Sequence, residues 1–156
     1  MSLIQVRPYK RADLNAIIEL FNGSVRQIAS RDYNPAQIDA WAPKAVNTSA
    51  WSERLERKPT FVAEVQSQVA GFSDLEPAGH IDMLFVHSEY QGLGVARTLM
   101  NHILLKAREQ NLAELSTDAS ITARPFFERS GFRVLQEQDV QLRAQTFRNY
   151  RMARDL

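Results

Sequence analysis

The sequence contains no cysteine among its 156 residues. This absence excludes disulfide bonds, thiolate metal sites and catalysis by a cysteine nucleophile. Long apolar runs are also missing, so the sequence offers neither a membrane-spanning helix nor a secretory signal. We therefore expect a soluble cytoplasmic protein that does not bind a membrane.

The sequence also lacks an excess of charge of either sign, since 19 Lys and Arg residues face 18 Asp and Glu residues. A net charge of +1 gives no electrostatic reason to expect a nucleic-acid partner. The arginines near the C-terminus have no grouped aromatic platform beside them, and a solvated strand face explains them better than a nucleic-acid site. His87 and His102 have no further ligand at metal-binding spacing, so we expect no metal site.

The apolar pattern, in which hydrophobic residues make up 44% of the chain, predicts one domain with a substantial core over residues 1–156. A helical pattern over Arg11–Arg31 precedes two short strands at Thr60–Gln66 and Val69–Leu75, which a polar turn joins into a hairpin. A central strand is predicted over His80–Val86, and the last two strands lie within Arg133–Leu142 and Thr146–Ala153. Hairpins mixed with strand–helix–strand units indicate an α/β fold with a mixed sheet.

The segment from Ile81 to His102 is the most informative part of the chain. A short apolar run is followed by a polar turn that contains Gly92 and Gly94, and then by a stretch with apolar residues at helical spacing. A strand, a glycine loop and a helix together can bind phosphate, because N–H groups at a helix N-terminus lack partners and lie at the positive end of the dipole. We therefore predict that this segment holds a pyrophosphate.

Two well-known glycine loops do not fit this segment. The P-loop needs Lys and then Ser or Thr after its last glycine, and the dinucleotide fingerprint needs a third glycine. The string QGLGVA at 91–96 instead resembles the acetyl-CoA signature of the GNAT N-acetyltransferases, Gln/Arg-x-x-Gly-x-Gly/Ala. ARPFFERSGF at 123–132 resembles the second cofactor segment of that family, and VRPYKRADLNAIIELF at 6–21 resembles its first strand and helix. YNPAQIDAWA and DASITARPFFERSGF resemble the YafP-like branch of the family.

The resemblance implies a single GNAT domain whose central mixed, mostly antiparallel sheet has about seven strands and is splayed between the fourth and the fifth. It also implies acetyl-CoA as co-substrate, with the pantetheine arm paired to the central strand and the pyrophosphate held by the loop. The cofactor-binding residues that it implies are Leu84, Phe85, Val86, Gln91, Gly92, Leu93, Gly94, Val95, Ala96, Arg97, Thr98, Ser120, Phe126, Phe127 and Arg129.

The general base is predicted at Asp82 or His80, where the family often carries it. Side chains two apart on a strand share a face, so both would point the same way. An imidazole exchanges protons near neutral pH, whereas a carboxylate needs a raised pKa or a relay through water. His80 also fits a surface residue at a strand edge, and Asp82 must be paired or functional among its apolar neighbours.

The general acid departs from the family pattern, because Phe127 stands where many members carry a tyrosine. Another hydroxyl, that of Tyr33, Ser120 or Tyr150, could donate the proton to the leaving thiolate. Water could also donate it, or the protein could bind the cofactor without catalysis. All three readings are consistent with the sequence.

The loop at Tyr33 and the nearby Trp41 places aromatic residues beside a proline break, ahead of the sheet. This arrangement fits a lid over the acceptor site, and ordinary helix packing explains it equally well. The leading prediction is an N-acetyltransferase that acts on a small-molecule amine as a monomer or homodimer. A catalytically silent acyl-CoA-binding protein and a protein or peptide N-acetyltransferase are the alternatives.

Overall fold

The structure is a computed structural model that describes residues 3–156, so Met1 and Ser2 of the predicted domain lie outside the described residues. Over those residues the strands are β1 (Ile4–Pro8), β2 (Thr60–Val65), β3 (Gln68–Asp74), β4 (His80–Ile81), β5 (Leu84–Val86), β6 (Glu114–Ser120), β7 (Arg133–Leu142) and β8 (Gln145–Asp155). The α-helices are α1 (Leu14–Gln27), α2 (Pro35–Trp41), α3 (Thr48–Glu56), α4 (Val95–Glu109) and α5 (Arg124–Arg129).

The described strands form two four-stranded sheets, in the orders β1-β2-β3-β5 and β4-β6-β8-β7. β4 and β6 are parallel, and the other pairings are antiparallel. β4 and β5 are consecutive segments of the chain, so counted as one they make seven strands, with the two sheets parting between the fourth and the fifth. The predicted mixed, mostly antiparallel sheet and its splay are confirmed.

The predicted continuous strand over His80–Val86 is wrong at Asp82 and Met83, which belong to neither sheet. The chain passes from one sheet to the other at these two residues. β4 pairs with β6 in the second sheet, whereas β5 pairs with β3 in the first. The two sheets therefore diverge immediately after this crossing.

Three side chains stabilise the crossing. The buried Asp74 carboxylate accepts hydrogen bonds from the N–H groups of the two crossing residues, at 2.8 and 3.0 Å. The Ser73 hydroxyl donates to the carbonyl of Met83 at 2.6 Å, and the Thr117 hydroxyl donates to that of Ile81 at 2.9 Å. These side chains thus satisfy backbone groups that have no ladder partner at the crossing.

Helices cover both faces of the first sheet. Val62 on β2 belongs to the buried apolar cluster that includes the core-facing side chains of α1. Its neighbour Ala63 packs against Val95 and Leu99 of α4. This alternation follows from the strand geometry, which sends successive side chains to opposite faces. The predicted apolar stripe of α4 is confirmed, since all of its residues are buried: Leu99, Met100, Ile103, Leu104 and Ala107.

Candidate active site

One edge of β5 is not paired with any strand of the described residues. The N–H of His87 donates to the carbonyl of Ala70 in β3 at 2.8 Å. Because backbone groups alternate in direction along an antiparallel strand, those of Leu84 and Val86 point to the opposite edge, toward the gap between the sheets. The carbonyl of Val86 accepts from the Gln91 side chain at 3.1 Å. This edge can therefore pair with an extended ligand.

The glycine loop that follows β5 leaves open space beside its backbone. Gly92 and Gly94 have φ angles of +75° and +88°, which strain any residue with a side chain. A Cβ built on either glycine would meet no protein atom within 4 Å. Gly94 precedes α4 and provides no side-chain cap, whereas Asn34 and Asn47 cap α2 and α3 with their side chains. The N-terminus of α4 is thus open to an anion.

The first hydrogen bond of α4 runs from the N–H of Thr98 to the carbonyl of Gly94, at 3.0 Å. The N–H groups of Val95, Ala96 and Arg97 therefore have no acceptor within the helix. The Thr98 hydroxyl donates to the same Gly94 carbonyl at 2.8 Å, so its proton is already engaged within the loop. Backbone groups rather than this hydroxyl are the donors that the loop presents.

A groove of about 1110 Å³ begins at the free edge of β5 and passes the loop toward α5. All of the predicted cofactor-binding residues line it except Leu93, which is largely exposed, and Thr98. Arg97 and Arg129 lie among the lining residues, and the structure adds Arg133, which the sequence analysis missed. It also adds Arg154, one of the C-terminal arginines that the sequence analysis assigned to a solvated strand face. Arg133 already pairs with Asp155 at 3.5 Å, and Arg154 donates to the Ser130 carbonyl at 2.7 Å. Four arginines along one groove suit a ligand with several phosphates.

A second cavity, of about 520 Å³, lies on the other side of the splay. Its apolar part is built from six aromatic side chains, whose rings contact one another mostly edge to face at centroid distances of 4.8 to 6.4 Å. These side chains are Phe21, Tyr33, Trp41, Trp51, Phe85 and Phe147. The groove and this cavity share a boundary, which is lined by Trp41, Leu84, Phe85, Ser120, Ala123 and Phe127. The groove and the second cavity are therefore adjacent to each other.

Asp82 lines this second cavity and carries two cationic partners. Its Oδ2 accepts from Lys58 Nζ at 2.7 Å and from Arg54 Nη2 at 2.9 Å. Burial raises the pKa of Asp82, but the hydrogen bond from Lys58 and the charge of Arg54 outweigh that effect and hold the pKa below its ordinary value. Asp82 is therefore a carboxylate at neutral pH, and both cations contact the same oxygen.

Asp74 is the buried neighbour of this ion cluster. Lys58 Nζ lies 3.5 Å from its Oδ2, and the Lys58 side chain is only 8% exposed. Burial raises the pKa of Asp74 to about 6, although the charge of Lys58 and the N–H donors of the crossing residues act in the opposite direction. The cluster ties α3 and the residues after it to the point where the two sheets part.

His80 also lines the second cavity, but its ring contacts different residues from those that contact Asp82. Its Nδ1 lies 3.0 Å from the Ser116 hydroxyl, and its Nε2 lies 3.8 Å from the Asp118 carboxylate. Both partners are on β6, which pairs with β4. The two predicted base candidates therefore face one cavity from separate hydrogen-bond networks.

Tyr33 and Trp41 both line the second cavity, where the sequence analysis predicts acceptor-binding residues. Tyr33 is buried, and its hydroxyl donates to the carbonyl of Arg148 at 2.6 Å and accepts from the N–H of Ile121 at 3.0 Å. Burial raises the pKa of Tyr33. The Tyr33 proton is therefore held in a hydrogen bond to a carbonyl of β8 and is not available to a leaving thiolate.

The other two hydroxyls considered for the acid lie in different places. Ser120 lines both the groove and the cavity, and its Oγ accepts from the N–H of Ala123 at 3.0 Å. Tyr150 is buried beneath the guanidinium of Arg124, 4.5 Å from its ring centroid, and lines neither space. Of the three hydroxyls, that of Ser120 lies at the boundary between the two spaces, and its proton makes no hydrogen bond to the protein within residues 3–156.

The sequence analysis missed three polar residues of the second cavity, Arg54, Asp118 and Asn149. It assigned Arg143, with the other C-terminal arginines, to a solvated strand face, whereas Arg143 lines this cavity. Alternation within β6 signals Asp118, because it shares a face with Ser116 and Ser120. Arg54 and Asn149 carry no such signal, since only the tertiary fold brings α3 and β8 to the crossing.

No group of three or more His, Asp or Glu side chains in residues 3–156 is arranged to hold a metal ion. In the same part of the chain, none of the helices has the length and apolar character needed to cross a membrane.

Residues 29–154 match the model of the acetyltransferase (GNAT) domain. The chain is 40% identical to the N-acetyltransferase YafP of Escherichia coli (strain K12) over 153 residues, which cover 97% of this chain and 96% of YafP. This relative agrees with the predicted YafP-like branch.

Two solved structures have the same fold. A GCN5-related N-acetyltransferase from Rhodopseudomonas palustris superposes with a TM-score of 0.95 and 32% identity, over 100% of this chain and 98% of that one. The PaiA N-acetyltransferase from Thermoplasma acidophilum, solved in complex with coenzyme A, superposes with a TM-score of 0.81 over the full length of both chains. Its identity of 18% shows a shared fold alone.

Proposed function

The chain belongs to the GNAT acetyltransferase family and is an N-acetyltransferase, and we propose that it moves the acetyl group of acetyl-CoA directly to the amine of a small molecule within a ternary complex. The observation that carries this proposal is the shared boundary between the groove and the second cavity, at the free edge of β5. Direct transfer needs the two reactants in contact, and a common boundary supplies that proximity.

The groove suits acetyl-CoA by its donors and its charge. The backbone groups of Leu84 and Val86 face the gap, where they can pair with the amides of the pantetheine arm. The N–H groups of the glycine loop and the first turn of α4 can bind the pyrophosphate, and the open space at Gly94 admits it. When bound there, acetyl-CoA supplies an activated acetyl thioester at the boundary of the second cavity.

A backbone N–H of β5 is the group that we propose polarises the thioester carbonyl. Its orientation is fixed by the pairing of β5 with β3, so it needs no reorganisation during the reaction. The buried Phe127 ring lines the same junction, where it can pack beside the pantetheine arm.

We assign deprotonation of the amine to Asp82. Its charge persists at neutral pH, and because Lys58 and Arg54 both contact Oδ2, Oδ1 is free of these cations. Since the pKa of Asp82 is lowered, Oδ1 takes up the proton through water rather than directly from the amine. His80 is the alternative base, although both of its ring nitrogens already face groups on β6. The proton for the leaving thiolate comes from water or from Ser120, since Tyr33 has committed its proton and Phe127 has none.

The size and lining of the second cavity support a small-molecule acceptor. A volume of about 520 Å³ lies within the range of pockets that bury small ligands. Its aromatic walls suit an amine with an apolar body, and Arg54, His80 and Asp82 provide polar groups at the crossing between the sheets.

The test is release of free thiol from acetyl-CoA in the presence of a panel of amines that differ in size and polarity, with mass spectrometry of the products. We expect release that depends on the amine, together with one added acetyl group on that amine. Binding of acetyl-CoA without release for any amine would identify a silent binder. Acetylation of peptide amines alone would contradict the small-molecule acceptor.

A further inference from the structure

Asn149 is a polar residue in the wall of the second cavity that no step of the proposed mechanism uses. It lies on β8, in register with Ser120 of β6, which lines the boundary between the two spaces. Its carboxamide oxygen is buried and has no hydrogen-bond partner in the described residues. Two other side-chain atoms there share this property, Tyr9 Oη and His102 Nε2, and neither residue lines the groove or the second cavity.

The donors around Asn149 do not reach its carboxamide oxygen: the Ser120 hydroxyl, in register on β6, makes no hydrogen bond to it, and two other neighbouring donors are engaged elsewhere. The Tyr33 hydroxyl donates to the adjacent Arg148 carbonyl, and the Ile121 N–H donates to Tyr33. Phe147, which shares a face of β8 with Asn149, is apolar and packs on the aromatic wall. An unpaired buried carbonyl destabilises a fold, and a leucine would fill the same space without that cost. A partner from outside the protein explains why an amide occupies this position.

We propose that Asn149 determines acceptor specificity, its carboxamide oxygen accepting a hydrogen bond from an N–H or O–H group of the bound acceptor. This inference rests on the proposed function, because it needs an acceptor in the second cavity. The register with Ser120 places the anchored group next to the boundary where the acetyl group is delivered. Acceptors that carry a donor near the reacting nitrogen are therefore preferred over those with an apolar group there.

The experiment compares Asn149→Leu and Asn149→Asp with wild type, using the best amine from the panel as the probe. Leucine removes the acceptor oxygen, so KM for the amine rises roughly tenfold or more, while the Kd for acetyl-CoA does not change. Aspartate keeps an acceptor oxygen, so KM for the amine stays within a few-fold of wild type. Because the leucine also removes an unpaired buried polar group, we expect the melting temperature to rise by roughly 2–4 °C.

Gln136→Leu is the matched control, since it makes the same kind of change on the neighbouring strand β7, at an exposed residue outside both spaces. It leaves both constants unchanged. An unaltered KM in Asn149→Leu, or a lowered melting temperature with unaltered kinetics, would show that Asn149 is a structural residue and overturn the inference. Failure of wild type to turn over any amine would instead refute the proposed function, and this inference with it.

Discussion

Replacement of Asp82 by asparagine removes one negative charge from the second cavity with almost no change in side-chain size. If Asp82 deprotonates the amine, kcat falls about 100-fold or more, which is the usual loss for a general base. The Kd for acetyl-CoA stays nearly unchanged, because Asp82 lines the second cavity and not the groove. The variant should therefore separate chemistry from cofactor binding.

The same substitution has a cost in stability that the structure allows us to work out. Lys58, whose side chain is 8% exposed, loses a charged partner at 2.7 Å and keeps Asp74 at 3.5 Å. A hydrogen bond to a charged group contributes about 1.5–3 kcal/mol, against a total of about 5–15 kcal/mol for a typical domain. The melting temperature falls by roughly 3–12 °C. Asp82→Asn thus remains folded at 25 °C, and its rate can be interpreted.

The assay is the pH dependence of thiol release, with calorimetry of acetyl-CoA binding alongside. Lys58 and Arg54 hold the pKa of Asp82 below its ordinary value, so wild type keeps this base ionised throughout the neutral and mildly acidic range. Glu76→Gln is the control, because it removes a carboxylate 3.9 Å from Lys58 that lines neither space. Full activity of Asp82→Asn at every pH would refute the reasoning. A hundredfold loss in His80→Gln would then transfer the role to His80.

Three further outcomes are expected. Phe127→Tyr changes turnover little, whereas Phe127→Ala weakens acetyl-CoA binding and lowers the free energy of unfolding by about 3–5 kcal/mol. A hundredfold faster Phe127→Tyr enzyme in steady-state kinetics would show that a missing acid limits the reaction. Tyr33→Phe lowers the free energy of unfolding by about 1–3 kcal/mol and leaves kcat nearly unchanged, because the hydroxyl binds backbone; loss of kcat with full thermal stability would contradict this. The raised pKa of Asp74, about 6 against 3.8 unfolded, favours folding below pH 3.8, and this contribution is lost as pH rises through 6. Relative to Asp74→Asn, wild type therefore gains about 2 kcal/mol between pH 7 and 4.5 in denaturant titrations, and a constant difference between the two proteins would refute that pKa.

Local features of the sequence were sufficient to predict the glycine loop and the helix after it, whereas the other residues of the groove came from the family resemblance. The glycine loop and the apolar stripe of α4 depend on neighbouring residues, so Gly92, Gly94 and the buried face of α4 follow from spacing alone. The splay and the order of the strands came from the family resemblance. No local pattern indicates where a central strand leaves one sheet for another.

The second cavity depends on contacts that are distant in the sequence, and its polar network could not be predicted. Asp82 was expected to be paired or functional among apolar neighbours, but its partners Arg54 and Lys58 come from α3 and the residues after it. The break of the strand at Asp82 and Met83 depends on Asp74, which a pattern of alternating residues does not reveal. Asn149 reaches the cavity only through the pairing of β8 with β6.

The central claim is that acetyl-CoA binds with its pyrophosphate at the loop before α4, and calorimetric titration of Gly94→Val with acetyl-CoA tests it most directly. A branched side chain at Gly94 occupies the open space beside the loop and strains a backbone with φ of +88°, so we expect no detectable binding. Circular dichroism should show an unchanged fold, and Leu93→Val, at an exposed neighbour outside the groove, should bind as wild type does. Binding of acetyl-CoA to Gly94→Val as tightly as to wild type would contradict the placement of the cofactor.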